Sequence, residues 1–156
     1  MFIAKNNDLI ILAKPTREEL DHALGFMVYT SIEETEASYQ LYNGQYLTEK
    51  EVEEKEAERI AKLHLTRGDV FRGLLLARGI TRDQIKQLID QLPDETQEQQ
   101  ITKELASIDF EEALEYYRGN PLIDTIGSQI GITSEQMTRF FETNDWHELE
   151  ETSSEE

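Results

Sequence analysis

The stretch YRGNPLIDTIGSQIGITSEQMTRFFE, residues 117–142, decides how the second half of the chain is read. Asn120 can cap a helix that begins at Pro121, where a missing N–H costs nothing. Leu122, Ile123 and Ile126 then recur at helical spacing. Gly131 supplies the left-handed residue that ends a helix, and Ile132 turns back toward a core. Thr133 caps the next helix, so the spacing predicts helix, glycine corner, helix.

A DNA-reading helix-turn-helix has the same outline, and charge discriminates between the two. Between residues 118 and 142 two arginines, Arg118 and Arg139, face three acids, Asp124, Glu135 and Glu142. Affinity for DNA comes mainly from cations that displace counterions at phosphates, and a reading helix needs them on its exposed face. The pattern favours a packed corner.

A similar corner occurs 52 residues earlier, where GITRDQIKQLI begins at Gly79 and GITSEQMTRFF at Gly131. Gly79, Ile80, Thr81 and Gln84 match Gly131, Ile132, Thr133 and Gln136, and Val70, Phe71 and Leu74 align with Leu122, Ile123 and Ile126. Each copy is expected to bury one apolar face, with the two facing each other. The first corner is the more basic, with Arg78, Arg82 and Lys86, but Asp83 and Asp90 balance it.

Upstream, residues 1–47 carry strand signals. FIAKNNDLIIL sets two apolar runs around Asn6-Asn7, and YQLYNGQYL places Asn43-Gly44 between apolar flanks, the pair that a type I′ hairpin turn demands. Thr16 and Glu19 have capping-box spacing for a short helix, and a strand is expected at 27–32. From residue 48 the chain reads as helical. Thr48 and Glu51 open an acidic helix, which is expected to project from the N-terminal unit and enter the core at its end. Thr66 with Asp69 restarts the helical pattern. The apolar seam of 101–117 changes phase near Asp109, which predicts two helices or one kinked one.

The fold class is therefore α+β, mainly α. A small N-terminal unit containing a β-hairpin (1–47) precedes a helical domain of about five to six short helices with two helix-Gly-Ile-Thr-helix corners (48–145). Residues 146–156 read as an acidic, flexible tail.

Composition narrows the function. The 156 residues hold no cysteine and carry a formal charge of −18, from 15 basic and 33 acidic side chains. Neither a disulfide framework nor a thiolate metal site can form. An acidic surface repels nucleic acid and anionic membranes and suits a basic protein surface. No signal peptide or membrane-spanning run is evident, which predicts no membrane partner. His22, His64 and His147 lack metal-ligand spacing, and RGDVFRG lacks the lysine of a phosphate loop. Arg67-Gly68-Asp69 opens a helix, which makes its likeness to an integrin-binding tripeptide a chance match. The expectation is no catalytic residues, no metal and no cofactor. Tyr39, Tyr42 and Tyr46, on the Asn-Gly hairpin, and Trp146 are the candidate partner-binding residues.

LYNGQYLTEKEVEEKEAERIAKLHLTRGDVFRGLLLARGIT, joined to EYYRGNPLIDTIGSQIGITSEQMTRFF, resembles small uncharacterised proteins encoded by bacteriophages and prophages near tail genes. The likeness spans roughly residues 39–142. It implies a non-enzymatic, tail-associated or assembly-accessory role through protein–protein interaction, in the host bacterial cytoplasm or incorporated in the virion. Two other readings remain open: an acidic DNA mimic that inhibits a host defence nuclease, and a helix-turn-helix DNA-binding regulator.

Overall fold

The computed structural model describes residues 1–151, and the chain divides into two compact units, Met1–Glu58 and the part from Arg59 onward. The first unit holds a three-stranded antiparallel sheet of order β2-β1-β3, formed by β1 (Phe2–Asn6), β2 (Leu9–Lys14) and β3 (Ser31–Glu34). Asn7, at φ 56, makes the turn between the first two strands. Helix α1 (Arg17–Leu24) is capped by the Thr16 hydroxyl, which accepts from the Glu19 N–H. It buries Leu20 and Leu24 against Ala4 and Leu12. A second hairpin, β4 (Tyr39–Tyr42) and β5 (Gln45–Thr48), turns at Asn43 (φ 47) and Gly44 (φ 81), both left-handed as a type I′ turn requires.

Helix α2 (Glu49–Ala61) follows, with the Thr48 hydroxyl accepting from the Glu51 N–H. It buries no residue, and Val52, Glu56 and Ile60 are half-buried. The N-terminal unit extends past residue 47 because the Tyr42 hydroxyl donates to Glu56 at 2.5 Å, which ties α2 to the hairpin.

The second unit is built on the two corners. Helices α3 (Arg67–Arg78) and α4 (Arg82–Asp90) meet at Gly79 (φ 67), and α6 (Pro121–Ile130) and α7 (Ser134–Thr143) meet at Gly131 (φ 80). Thr81–Gln84 and Thr133–Gln136 both form reciprocal capping boxes, and Asn120 caps α6. The first helix of each copy packs on the second helix of the other: Gly73 of α3 lies against Phe140 of α7, and α4 contacts α6. The expected facing arrangement follows from this exchange. Between the copies runs α5 (Gln97–Glu112), which buries Ala106 and Phe110.

Three expectations are corrected. The strand placed at 27–32 begins at Ser31, because β1 accepts a partner only over Ser31–Glu34. The region after residue 48 is not wholly helical: β6 (His64–Thr66) pairs with β7 (Glu115–Tyr117). The phase change near Asp109 marks the end of a single helix and the start of β7, so Asp109 caps no new helix. Its side chain instead accepts from the Asn120 amide at 3.0 Å.

The acidic end begins inside the fold. Trp146–Leu149 forms a 3-10 turn, and Leu149 is fully buried in the core of Tyr116, Phe140, Leu74 and Ile123. Residues 152–156, the rest of the expected tail, lie outside the described residues.

Candidate functional site

The segment between α1 and β3 is the least expected surface of the N-terminal unit. Leu24 is buried, and Gly25 (φ 50) turns the chain out of the helix. The Met27 N–H donates to the Leu24 carbonyl at 2.8 Å, which fixes one end of the segment. At the other end the Thr30 N–H and hydroxyl both donate to the Lys5 carbonyl, at 2.7 and 3.2 Å. The same hydroxyl accepts from the Asn7 N–H at 2.8 Å. The segment is thus pinned to α1 and to the β1–β2 turn.

Between these pins four consecutive large apolar side chains face water. Phe26 is fully exposed, Val28 is 76% exposed, and Met27 and Tyr29 are 43% and 47% exposed. Leu9, just past the Asn7 turn, and Leu41 at the β4–β5 hairpin are exposed as well. Scattered apolar side chains are ordinary on a surface, but a contiguous set marks an interaction site. Burying one such side chain is worth about 1.5–3 kcal/mol.

The aromatic residues expected to bind a partner are placed differently. The hairpin register pairs Tyr39 with Thr48 and Leu41 with Tyr46, so Tyr39 and Tyr46 share one face. Tyr42, opposite Gln45, is on the other face. All three are half-buried: Tyr46 packs on the Leu20–Leu24 cluster, and Tyr42 is held by Glu56. Trp146 belongs to the second unit, half-buried against its core, with its ring 3.8 Å from that of His147. The three hairpin tyrosines thus do not share one face.

Sequence reasoning missed Phe26–Tyr29 as a surface. Its signal was an apolar run directly after a helix-ending glycine, with no polar alternation. That pattern suits a fully paired strand equally well.

Perturbed titratable groups include Tyr116, Tyr117, Lys5 and Asp145. Burial raises the Tyr116 hydroxyl pKa, and the hydrogen bond to Glu115 raises that of Tyr117. Lys5 is raised by its bond to Glu33, and Asp145 is lowered by its bonds to His147. Among the described residues no three His, Asp or Glu side chains are placed to hold a metal ion. No helix of the described residues is long and apolar enough to cross a membrane.

The polar groups of the second corner serve its packing. Arg118 is almost fully buried, donating to Asp124 at 2.8 Å, to Thr138 at 3.1 Å and to Ser134 Oγ at 2.7 Å. Arg139 pairs with Glu148 at 3.2 Å, and the buried Gln136 amide donates to the Glu150 carbonyl. Comparison with protein-family models, curated proteins and solved structures returns no match.

Proposed function

We propose that the protein is a non-enzymatic accessory factor of bacteriophage or prophage origin that docks on a structural protein during tail assembly. The observation that carries the docking role is the pinned run Phe26–Tyr29, with four adjacent apolar side chains in water. Ordering a recognition loop normally costs conformational entropy at the moment of binding. Here hydrogen bonds at both ends hold the loop beforehand, so burial of Phe26 and Val28 contributes to affinity with little of that cost. The acidic surplus of the chain, 33 acidic against 15 basic side chains, favours a partner whose apolar patch has a basic rim. The phage setting rests on the resemblance of residues 39–142, which implies the host bacterial cytoplasm or incorporation in the virion.

A helix-turn-helix regulator is not favoured, because Arg139 and Gln136, the groups that would reach DNA, are engaged within the fold. The DNA-mimic reading has one feature in its favour: α2 buries nothing and carries six glutamates between Glu49 and Glu58. Lys50 and Lys55 interrupt that acidic face.

The decisive experiment is a tagged pull-down from infected cells with the native chain and the Phe26→Ser, Val28→Ser variant. A phage structural protein captured by the first and lost with the second supports the proposal. Normal particles after deletion of the gene, with the protein absent from virions and intermediates, would overturn it. Capture of a nuclease instead, with binding that collapses in salt, would favour the mimic.

A further inference from the structure

The chain's cations are few, and in the second unit five of them are engaged internally away from one cleft. Arg78 donates to the carbonyls of Leu149, Ile130 and Gly131. Arg118 pairs with Asp124, Arg139 with Glu148, Lys103 with Asp94 and Arg59 with Glu142. Against that background four cations converge on one cleft of about 820 Å³: Arg67, Arg72, Arg82 and Lys86. Only two carboxylates, Asp83 and Glu111, line it with them. The excess is local, because remote acids are screened beyond a Debye length of about 8 Å at physiological salt.

The floor of the cleft is aromatic. Phe71 and Phe110 lie with ring centroids 5.5 Å apart. The Arg67 guanidinium sits 5.2 Å from the Phe71 centroid and 5.6 Å from that of Phe110, and its Nη1 donates to the Glu111 carbonyl at 2.7 Å. Arg82 stands 5.7 Å from the Phe71 centroid and makes no hydrogen bond or ion pair among the described residues. Two guanidinium groups are therefore held on rings, and their remaining N–H groups are available to an incoming anion. Arg72 reaches Asp69 at 3.0 Å but stays two-thirds exposed, a pairing that a stronger anion displaces at little cost. Leu75, half exposed, and Ile80 complete an apolar wall.

We infer that this cleft binds a small phosphorylated ligand carrying a planar ring, the chemistry of a nucleoside phosphate. Arginine forks match phosphate oxygens in pairs, and the four cations still outnumber the two lining carboxylates and the Asp69 that pairs with Arg72, which suits an anionic ligand. The cavity is far larger than an inorganic phosphate requires and falls in the range of about 300–1,000 Å³ usual for organic ligands. The ring lies along the Leu75–Ile80 wall or stacks on the guanidinium of Arg67 or Arg82. This site is independent of the docking run in the N-terminal unit, and neither reading rests on the other.

The test is titration of the full chain with AMP, adenosine, inorganic phosphate and a ten-nucleotide oligothymidylate at 0.15 M salt. Amide NMR shifts supply the readout. AMP is expected to bind saturably, shifting residues 80–86 together with Phe71 and Phe110. Phosphate and adenosine alone are each expected to bind at least about tenfold more weakly, because each supplies half of the contacts. The exposed pair Arg82→Gln, Lys86→Gln should weaken AMP about tenfold or more with the melting temperature unchanged. Absence of AMP-dependent shifts at millimolar concentration overturns the inference, as does equal binding of AMP by the variant. Binding of the oligonucleotide alone, with a steep salt dependence, also overturns it and assigns the cleft to a polymer backbone.

Discussion

Gly73 in α3 lies so close to the Phe140 ring in α7 that a Cβ on it would stand 2.5 Å from Cζ and 2.9 Å from Cε1. The ring is 1% exposed, with the Phe141 ring edge-on at 5.9 Å, so it has no room to retreat. Gly73→Ala should therefore destabilise the protein although alanine is the better helix former. Overpacking costs about 1–3 kcal/mol, against roughly 1 kcal/mol of helix propensity returned. A thermal melt should show a midpoint lower by several degrees. Gly68→Ala supplies the contrast, because there the new Cβ meets the Arg72 Nη2 end at 3.4 Å and Thr66 Oγ1 at 4.0 Å, both ordinary contacts. It should leave the midpoint unchanged or raise it.

Arg78 joins the two corners. As the last residue of α3 it reaches the end of α6, donating to the Ile130 and Gly131 carbonyls at 3.5 and 3.4 Å, and to Leu149 at 2.6 Å. Its side chain is 9% exposed, whereas that of its ion-pair partner Glu151 is 83% exposed. Arg78→Met should cost about 1.5–3 kcal/mol, since three carbonyls, two of them in part-buried bonds, lose a charged donor. Arg78→Lys should not restore it, because one ammonium cannot span three carbonyls as a guanidinium fork does. Glu151→Gln should change stability by less than about 0.5 kcal/mol. Chemical denaturation of the three variants checks the order.

Local chemistry made much of this fold legible. The caps at Thr16, Thr66, Thr81, Asn120 and Thr133, and the Asn43-Gly44 turn, depend on residues within four positions of one another. The β6–β7 pairing did not show, because it joins His64 to Tyr117 through three-residue strands too short to carry an alternating pattern. The cleft was hidden for the same reason. Arg78, Arg82 and Lys86 read as one basic corner, but the fold turns Arg78 toward the Ile130 carbonyl and brings Arg67 and Arg72 to the other two. Arg67-Gly68-Asp69 looked like a chance tripeptide, and its arginine proves to sit on the Phe71 ring.

The Phe26–Tyr29 run gives a prediction separable from partner identity. Phe26 and Val28 make no contribution to either buried cluster, so Phe26→Ser, Val28→Ser should leave the melting midpoint within the effect of about 0.5 kcal/mol typical of surface changes. The variant should also bind less of a hydrophobic dye than the native chain. A large loss of stability would mean that these side chains pack in solution, and the docking role would lose its basis.

Asp145 and His147 make the 3-10 turn at Trp146 sensitive to acid. The Asp145 carboxylate accepts from the His147 N–H at 3.0 Å and meets His147 Nδ1 at 2.6 Å, and these bonds hold its pKa below the usual value. A carboxyl whose pKa is depressed on folding stabilises the protein above its unfolded pKa of about 3.9. That stabilisation fades as pH falls through the lower folded value. The difference in stability between the native chain and Asp145→Asn should thus be constant above about pH 5 and shrink steadily below it. Trp146 is the only tryptophan and lies against the His147 ring, so its fluorescence reports the loosening of the turn directly. Asp145→Asn should show near neutral pH the emission that the native chain reaches only in acid. If the native emission instead changes between pH 6 and 8 with no response below pH 5, the Asp145 carboxylate does not hold the turn.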